Sequence, residues 1–156
     1  MRASRLLLLL LAGALIGFSI FGVLVYRAVD VERADGPEAL RRFSAARAAF
    51  GDRTPMLEVD GAGQVVRRAD PPDAAPGALE RLEVLAYRSA DHRLVSARVP
   101  FWFFRLKRPA LEYALRGTGL DLDRLQLRAA DLERHGPGLI LDQASANGDR
   151  LLVWTK

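Results

Sequence analysis

The residues best suited to acid–base or metal chemistry are two histidines, His92 and His135. Histidine changes charge near neutral pH and is a common metal ligand. His92 falls in a predicted turn. His135 falls at the end of a predicted helix, where an imidazolium interacts favourably with the helix dipole. We therefore predict structural roles for both, and we assign no catalytic residue.

Two carboxylates, Asp121 and Asp123, have a spacing that metal-binding aspartates can show. A calcium loop also needs a glycine and a distal glutamate, which do not follow here. Arg124 and Arg128 lie close in sequence and favour surface ion pairs instead. The chain has no cysteine, which excludes a disulfide framework. We expect neither a metal nor another cofactor.

Four consecutive aromatic residues (101–104) precede three basic residues, Arg105, Lys107 and Arg108. Because aromatic residues favour strands, the segment is predicted as the end of a β-strand covered on both faces. We predict that Trp102 and at least two of the three phenylalanines are buried. The basic residues would then be exposed together and could bind a partner protein or anionic lipid. The alternative is that the segment serves only the core.

Residues 6–26 are twenty-one positions without one charge. As a helix they would span about 31 Å, close to the ~30 Å hydrocarbon core of a bilayer. Arg2 and Arg5 precede the run and Arg27 follows it. The pattern predicts an N-terminal tail (1–5) and an uncleaved, single-pass signal-anchor helix. A cleaved signal peptide is the alternative, but its apolar core would be shorter.

The orientation in the membrane is predicted from charge. Positive charge tends to stay in the cytoplasm, but long domains translocate largely regardless of it. The arginines that follow the apolar run are interleaved with acidic residues. We predict a bacterial inner-membrane protein with its domain outside the cytoplasm, and a cytoplasmic domain is the alternative.

Gly13 and Gly17 form a GxxxG pair inside the predicted membrane helix. Glycines four residues apart allow two helix backbones to approach closely. They are candidate contacts of a homodimer, although glycine is also simply common in membrane helices.

The basic composition does not indicate a nucleic-acid partner. Arg2 and Arg5 account for two of the 23 basic residues, which leaves 21 against 19 acidic residues for the rest of the chain. Only Lys107 and Lys156 are lysines, and this bias towards arginine suggests a GC-rich bacterial genome. Neither a basic tail nor a recognition-helix pattern supports binding to nucleic acid.

The remaining residues predict a stalk (27–36), which could continue the membrane helix, and a single α+β domain (37–156). Apolar periodicity and turn residues predict a mostly antiparallel sheet and three short helices. Leu120–Leu127 alternates leucine with polar residues and could be a strand or a loop. The helices are expected at 37–50, 109–116 and 129–135, and the first of them has one apolar stripe, formed by Leu40, Phe43, Ala46 and Phe50. The three hairpins are expected at 56–67, 79–104 and 139–155.

The sequence thus favours a membrane-tethered, non-enzymatic domain that binds a partner protein or organises an envelope complex. The scarcity of histidine, cysteine and clustered carboxylates favours this class. A small membrane-attached enzyme with an unrecognised site is the alternative. A deep pocket with converging polar groups would favour the enzyme.

Overall fold

The computed structural model describes residues 29–60, 64–68, 78–106 and 125–156. These residues form seven strands and three helices, and the helices lie on both faces of the sheet. The strands are β1 (Val29–Arg33), β2 (Leu57–Val59), β3 (Val65–Arg68), β4 (Arg81–Arg88), β5 (Arg93–Pro100), β6 (Gly138–Ala144) and β7 (Arg150–Thr155). The helices are α1 (Gly36–Ala48), α2 (Phe101–Leu106) and α3 (Ala129–His135).

All seven strands belong to one sheet, in the order β1-β5-β4-β7-β6-β2-β3. Every neighbouring pair is antiparallel except β2 and β6, which are parallel. The centre of the sheet is β7, which pairs with β4 on one side and with β6 on the other. The predicted α+β class with a mostly antiparallel sheet is confirmed.

Helix α1 begins where the sequence predicts it. The side chain of Asp35 caps the helix by accepting a hydrogen bond from the Glu38 N–H at 2.8 Å, and a proline occupies the first turn. Phe43 is buried against the sheet, whereas Leu40 is 49% exposed. The predicted apolar stripe is therefore wrong at Leu40, because the helix turns Ala39 towards the sheet instead.

Arg47 fastens the end of α1 to the sheet. Its Nε donates to Oδ2 of Asp142 on β6 at 3.0 Å. Its terminal nitrogens donate to the carbonyls of Gly51 and Arg53 at 2.7 and 2.8 Å. One guanidinium thus bonds two carbonyls after the helix and joins the end of α1 to β6.

Each face of the sheet carries a hydrophobic cluster. The smaller cluster lies under α1, and the larger one lies on the opposite face, where α2 and α3 pack. The α1 face is built from Ala34, Ala39, Phe43, Leu85, Tyr87, Leu94, Leu139 and Leu152. The opposite face includes Met56, Leu57, Val84, Val95, Phe101, Phe104, Leu132, Ile140, Leu141 and Val153.

The stalk predicted for residues 27–36 is wrong for Val29–Arg33, which form the edge strand β1. This strand is antiparallel to β5, with Val29 opposite Ala97 and Arg33 opposite Arg93. Val29 packs against the larger hydrophobic cluster. The chain is extended here because β5 offers an open ladder of backbone groups, and pairing with it satisfies them. The domain therefore includes Val29–Arg33, which precede the predicted boundary at residue 37.

The three predicted hairpins are present as β2–β3, β4–β5 and β6–β7, and the helix predicted at 129–135 is α3. The helix predicted at 109–116 lies outside the described residues. Of the segment Leu120–Leu127, residues 125–127 are described, and they form a turn and irregular chain with Leu125 and Leu127 buried.

The predicted membrane helix (6–26) also lies outside the described residues. Within the ranges that the structure does describe, each helix is too short or too polar to cross a bilayer.

Candidate functional site

The aromatic segment forms helix α2 and not the predicted end of a strand. Strand β5 ends at Pro100, and the chain turns into α2 at Phe101. Phe101 and Phe104, three residues apart, lie on one side of the helix and stack with ring centroids 5.7 Å apart. The predicted burial is confirmed for the three phenylalanines and wrong for Trp102, which is 53% exposed. A helix turns successive residues by about 100°, so one of four neighbouring aromatics faces away from the core.

Arg105 links α2 to α3. Its Nε donates to Oε1 of Glu133 at 2.6 Å, and its guanidinium carbon lies 5.8 Å from the centroid of the Phe101 ring. The Arg105 side chain is 61% exposed, as predicted, but its charge is matched by a carboxylate. Lys107 and Arg108 lie outside the described residues, as do Gly13 and Gly17. The joint exposure of the three basic residues therefore stays a prediction.

A charged cluster occupies the end of the sheet at which β1 starts. The buried carboxylate of Glu83 forms ion pairs with Arg81 Nε at 3.0 Å and with Lys156 Nζ at 3.3 Å. Arg98 stands directly opposite Glu83 in the β4–β5 register and is exposed. This end of the sheet is marked by Arg81, Glu83, Arg98, Pro100 and Lys156.

The sequence reasoning did not single out Glu83. The signal that could have found it is a lone carboxylate inside the strand Arg81–Arg88, whose other interior residues are all apolar or aromatic. A carboxylate in such a position is costly to bury unless cations accompany it.

The opposite end of the sheet is held by a contact between two turns. Ser89, after β4, donates its N–H and its hydroxyl to Oδ1 of Asp149, before β7, at 2.8 and 2.9 Å. Asn147 donates its amide to Oδ2 of the same carboxylate at 2.9 Å. Burial by itself would raise the pKa of Asp149. The hydrogen bonds from Ser89 and Asn147, with the charge of Arg88, outweigh it and lower that pKa below its usual value.

His92 has a structural environment. It is exposed in the β4–β5 turn with φ of 52°, and its Nδ1 lies 3.2 Å from the Tyr87 hydroxyl. Its backbone carbonyl accepts a hydrogen bond from the Ala34 N–H at 3.0 Å. These contacts join the turn to the segment that follows β1.

His135, at the end of α3, is the less satisfied histidine. Its Nδ1 is buried and has no hydrogen-bond partner within the described part of the chain. Its Nε2 lies so close to Gly138 that a Cβ there would stand 3.1 Å from it. Burial lowers the pKa of His135, and a hydrogen bond with the backbone of Leu139 opposes this shift in part. The arrangement favours a neutral imidazole packed against β6.

Metal ligands do not converge within residues 29–60, 64–68, 78–106 and 125–156, where no group of three or more histidine or acidic side chains could hold an ion. Asp121 and Asp123 lie outside those ranges. The described geometry therefore assigns no site for a metal.

Comparison of the chain with known protein families, with curated proteins and with solved structures gives no match. Its function must therefore be inferred from the arrangement of its own residues.

Proposed function

We propose that this chain is a membrane-tethered, non-enzymatic domain that binds a partner protein or organises an envelope complex. The position of β1 carries the proposal. Val29 is already paired in the sheet and follows Tyr26, the last residue of the predicted membrane helix, by three residues. Three residues span at most about 10 Å. A sheet that starts there stands at the bilayer surface without an intervening stalk.

Tethering favours binding as the function. A domain held at the membrane meets other membrane proteins at a high effective concentration, so a modest surface contact suffices for association. A homodimer formed through Gly13 and Gly17 would present two copies of the domain to a partner and so strengthen the association further. We place the domain outside the cytoplasm of a bacterial inner membrane, and a cytoplasmic domain is the alternative.

Four polar side chains that could do chemistry are instead engaged in structural contacts, which favours a binding role over catalysis. Ser89 and Asp149 join two turns, and His92 packs with Tyr87. The Thr155 hydroxyl donates to the Gly136 carbonyl at 2.8 Å. Each of these groups is bonded to a partner within the fold, so a structural role explains its presence without a catalytic one. A small membrane-attached enzyme stays the alternative.

The edge strands offer surfaces for a protein partner. In the described sheet β1 pairs only with β5, and β3 pairs only with β2. Each carries one exposed apolar side chain, Val31 at 47% and Val66 at 63% exposure. An open edge strand can pair with an added strand from another chain. The basic residues Arg105, Lys107 and Arg108 are a further proposed contact with a partner or anionic lipid.

The proposal is tested in two steps on the full-length protein in its native membrane. Extraction with alkaline carbonate should leave the protein in the membrane pellet, and its release into the supernatant would refute the tether. A photoreactive amino acid placed at Val31 or Val66 should then give a cross-linked product of defined mass. The matched control is the same amino acid at Asp52, which is exposed on a loop. Equal, diffuse cross-linking at all three positions would refute the edge strands as a binding surface.

A further inference from the structure

Trp102 stands out among the four aromatic residues of α2. Its side chain is 53% exposed, while Phe101, Phe103 and Phe104 are buried. Its ring stands edge to face against Phe103, with centroids 5.8 Å apart. The indole is thus presented outwards by a helix that is itself anchored in the core. A single exposed tryptophan is not unusual, so its position relative to the tether decides what it means.

The strand register gives that position. Val29 lies opposite Ala97, and the two strands are antiparallel. Strand β1 therefore begins near the end of the sheet at which β5 reaches Pro100 and α2 starts. Three residues span at most about 10 Å, both from Ala97 to Pro100 and from Val29 to Tyr26. The start of α2 and the end of the predicted membrane helix thus both lie within about 10 Å of the paired residues Val29 and Ala97.

The side chains around Trp102 suit the headgroup layer of a bilayer. Arg98 is exposed and has no ion-pair partner within the described residues, while Glu83 and Glu133 are each matched by cations. Arginine and lysine at such a level can reach lipid phosphates while their stems lie along apolar surface. The described charged groups beside the end of β5 and on or against α2 include Arg81, Arg98, Arg105 and Lys156, and Glu80, Glu83 and Glu133.

We propose that Trp102 is a second membrane contact, whose indole enters the headgroup layer of the bilayer in which residues 6–26 lie. The inference rests on the tether of the proposed function. Tryptophan prefers this layer because its ring is largely apolar and its N–H remains solvated. With β1 as one attachment and Trp102 as the other, the sheet is held in one orientation, and its edge strands face sideways along the membrane.

The test is tryptophan fluorescence of the full-length protein in vesicles of phosphatidylcholine and phosphatidylglycerol. The chain holds two tryptophans, and Trp154 is half-buried against Phe50 on the α1 face. The wild-type spectrum minus that of Trp102→Phe isolates Trp102 without altering the core, and Trp154 is the internal control. Lipids brominated near the headgroup should quench Trp102 several-fold more strongly than Trp154. Aqueous iodide should quench Trp102 only weakly.

The outcomes separate the two proposals. If carbonate releases the protein from the vesicles, the tether itself is wrong. If the protein stays in the pellet but Trp102 is quenched by iodide and not by brominated lipid, the tether stands and the second contact is wrong. The Trp102→Phe variant should unfold at the wild-type urea concentration, because the ring it replaces is largely exposed. A large loss of stability would instead show that the indole serves the core.

Discussion

Ser89 and Asp149 lie 60 residues apart in sequence, yet two hydrogen bonds join them, from the Ser89 N–H and hydroxyl to one carboxylate oxygen. The contact ties the turn between β4 and β5 to the turn between β6 and β7. Both hairpins contribute a central strand, so this carboxylate locks the two halves of the sheet at one end.

Replacing Asp149 with asparagine should lower the stability at neutral pH by about 1 kcal/mol, because a charge-assisted hydrogen bond at a partly exposed site becomes a neutral one. The pKa of Asp149 is lowered in the native protein. In the unfolded chain the Asp149 carboxylate is therefore protonated at a higher pH than in the native protein. Its contribution to the free energy of unfolding is lost as the pH falls from the ordinary pKa of 3.8 through the native pKa. Urea unfolding at several pH values should show that the variant loses less stability on acidification. The control is Asp52→Asn, and equal acid sensitivity of wild type and D149N would contradict the assignment.

His135 predicts a second pH effect in a different range. Its native pKa lies below the ordinary value of 6.5, because burial disfavours the imidazolium. The unfolded chain thus binds the proton first, and stability should decline once the pH falls below 6.5, until the native pKa is passed. The His135→Gln variant should lack this decline, whereas His92→Gln should keep it. Unfolding curves recorded between neutral and mildly acidic pH distinguish them, and the same decline in H135Q would exclude His135 as its source.

Two leucine-to-alanine variants test which residues belong to the core, one at the exposed side of α1 and one in β6. Leu141 is fully buried and Leu40 is about half exposed. Leu141→Ala should cost about 2–5 kcal/mol, since it removes buried methyl groups and leaves a cavity. Leu40→Ala should change stability by no more than about 0.5 kcal/mol. Urea unfolding followed by the fluorescence of Trp154 measures both. A similar loss in the two variants would show that Leu40 belongs to the core.

The orientation of the domain can be tested because the chain lacks cysteine. Ser44→Cys places one thiol on the exposed side of α1. A membrane-impermeant maleimide should label this thiol in intact spheroplasts if the domain lies outside the cytoplasm. Labelling that requires detergent would place the domain inside. The unsubstituted protein, which cannot react, is the control.

Local patterns predicted the hairpins and α1 because their determinants are close in sequence. Asn147 and Gly148 fit the tight turn between β6 and β7, and Asp35 caps α1 through a bond to Glu38 three residues on. Strand β1 was missed because its partner, β5, begins 60 residues after it ends. Residues 29–33 contain no helix breaker, so the local sequence was compatible with a stalk that continues the membrane helix.

The candidate site was predicted only in part, because some of its features depend on contacts and turns that local residue preferences do not show. Aromatic residues favour strands, and this preference outweighed Pro100, which was the available sign that β5 stops before Phe101. The burial of the three phenylalanines followed from their apolar character, whereas the exposure of Trp102 depends on the helical turn. The pairing of Arg105 with Glu133 joins two helices across a segment outside the described residues, and no local pattern signals it.

The central place of β7 has a consequence for synthesis. Strands β1, β5 and β4 lie on one side of it, and β6, β2 and β3 lie on the other. All six are translated before Arg150–Thr155, and in the described sheet the two groups are joined only through β7. The sheet can therefore close only after residues 150–155 have left the ribosome, when any membrane segment at residues 6–26 has long been available for insertion. If residues 6–26 anchor the chain as proposed, the domain completes its sheet only after this segment has become available to the membrane.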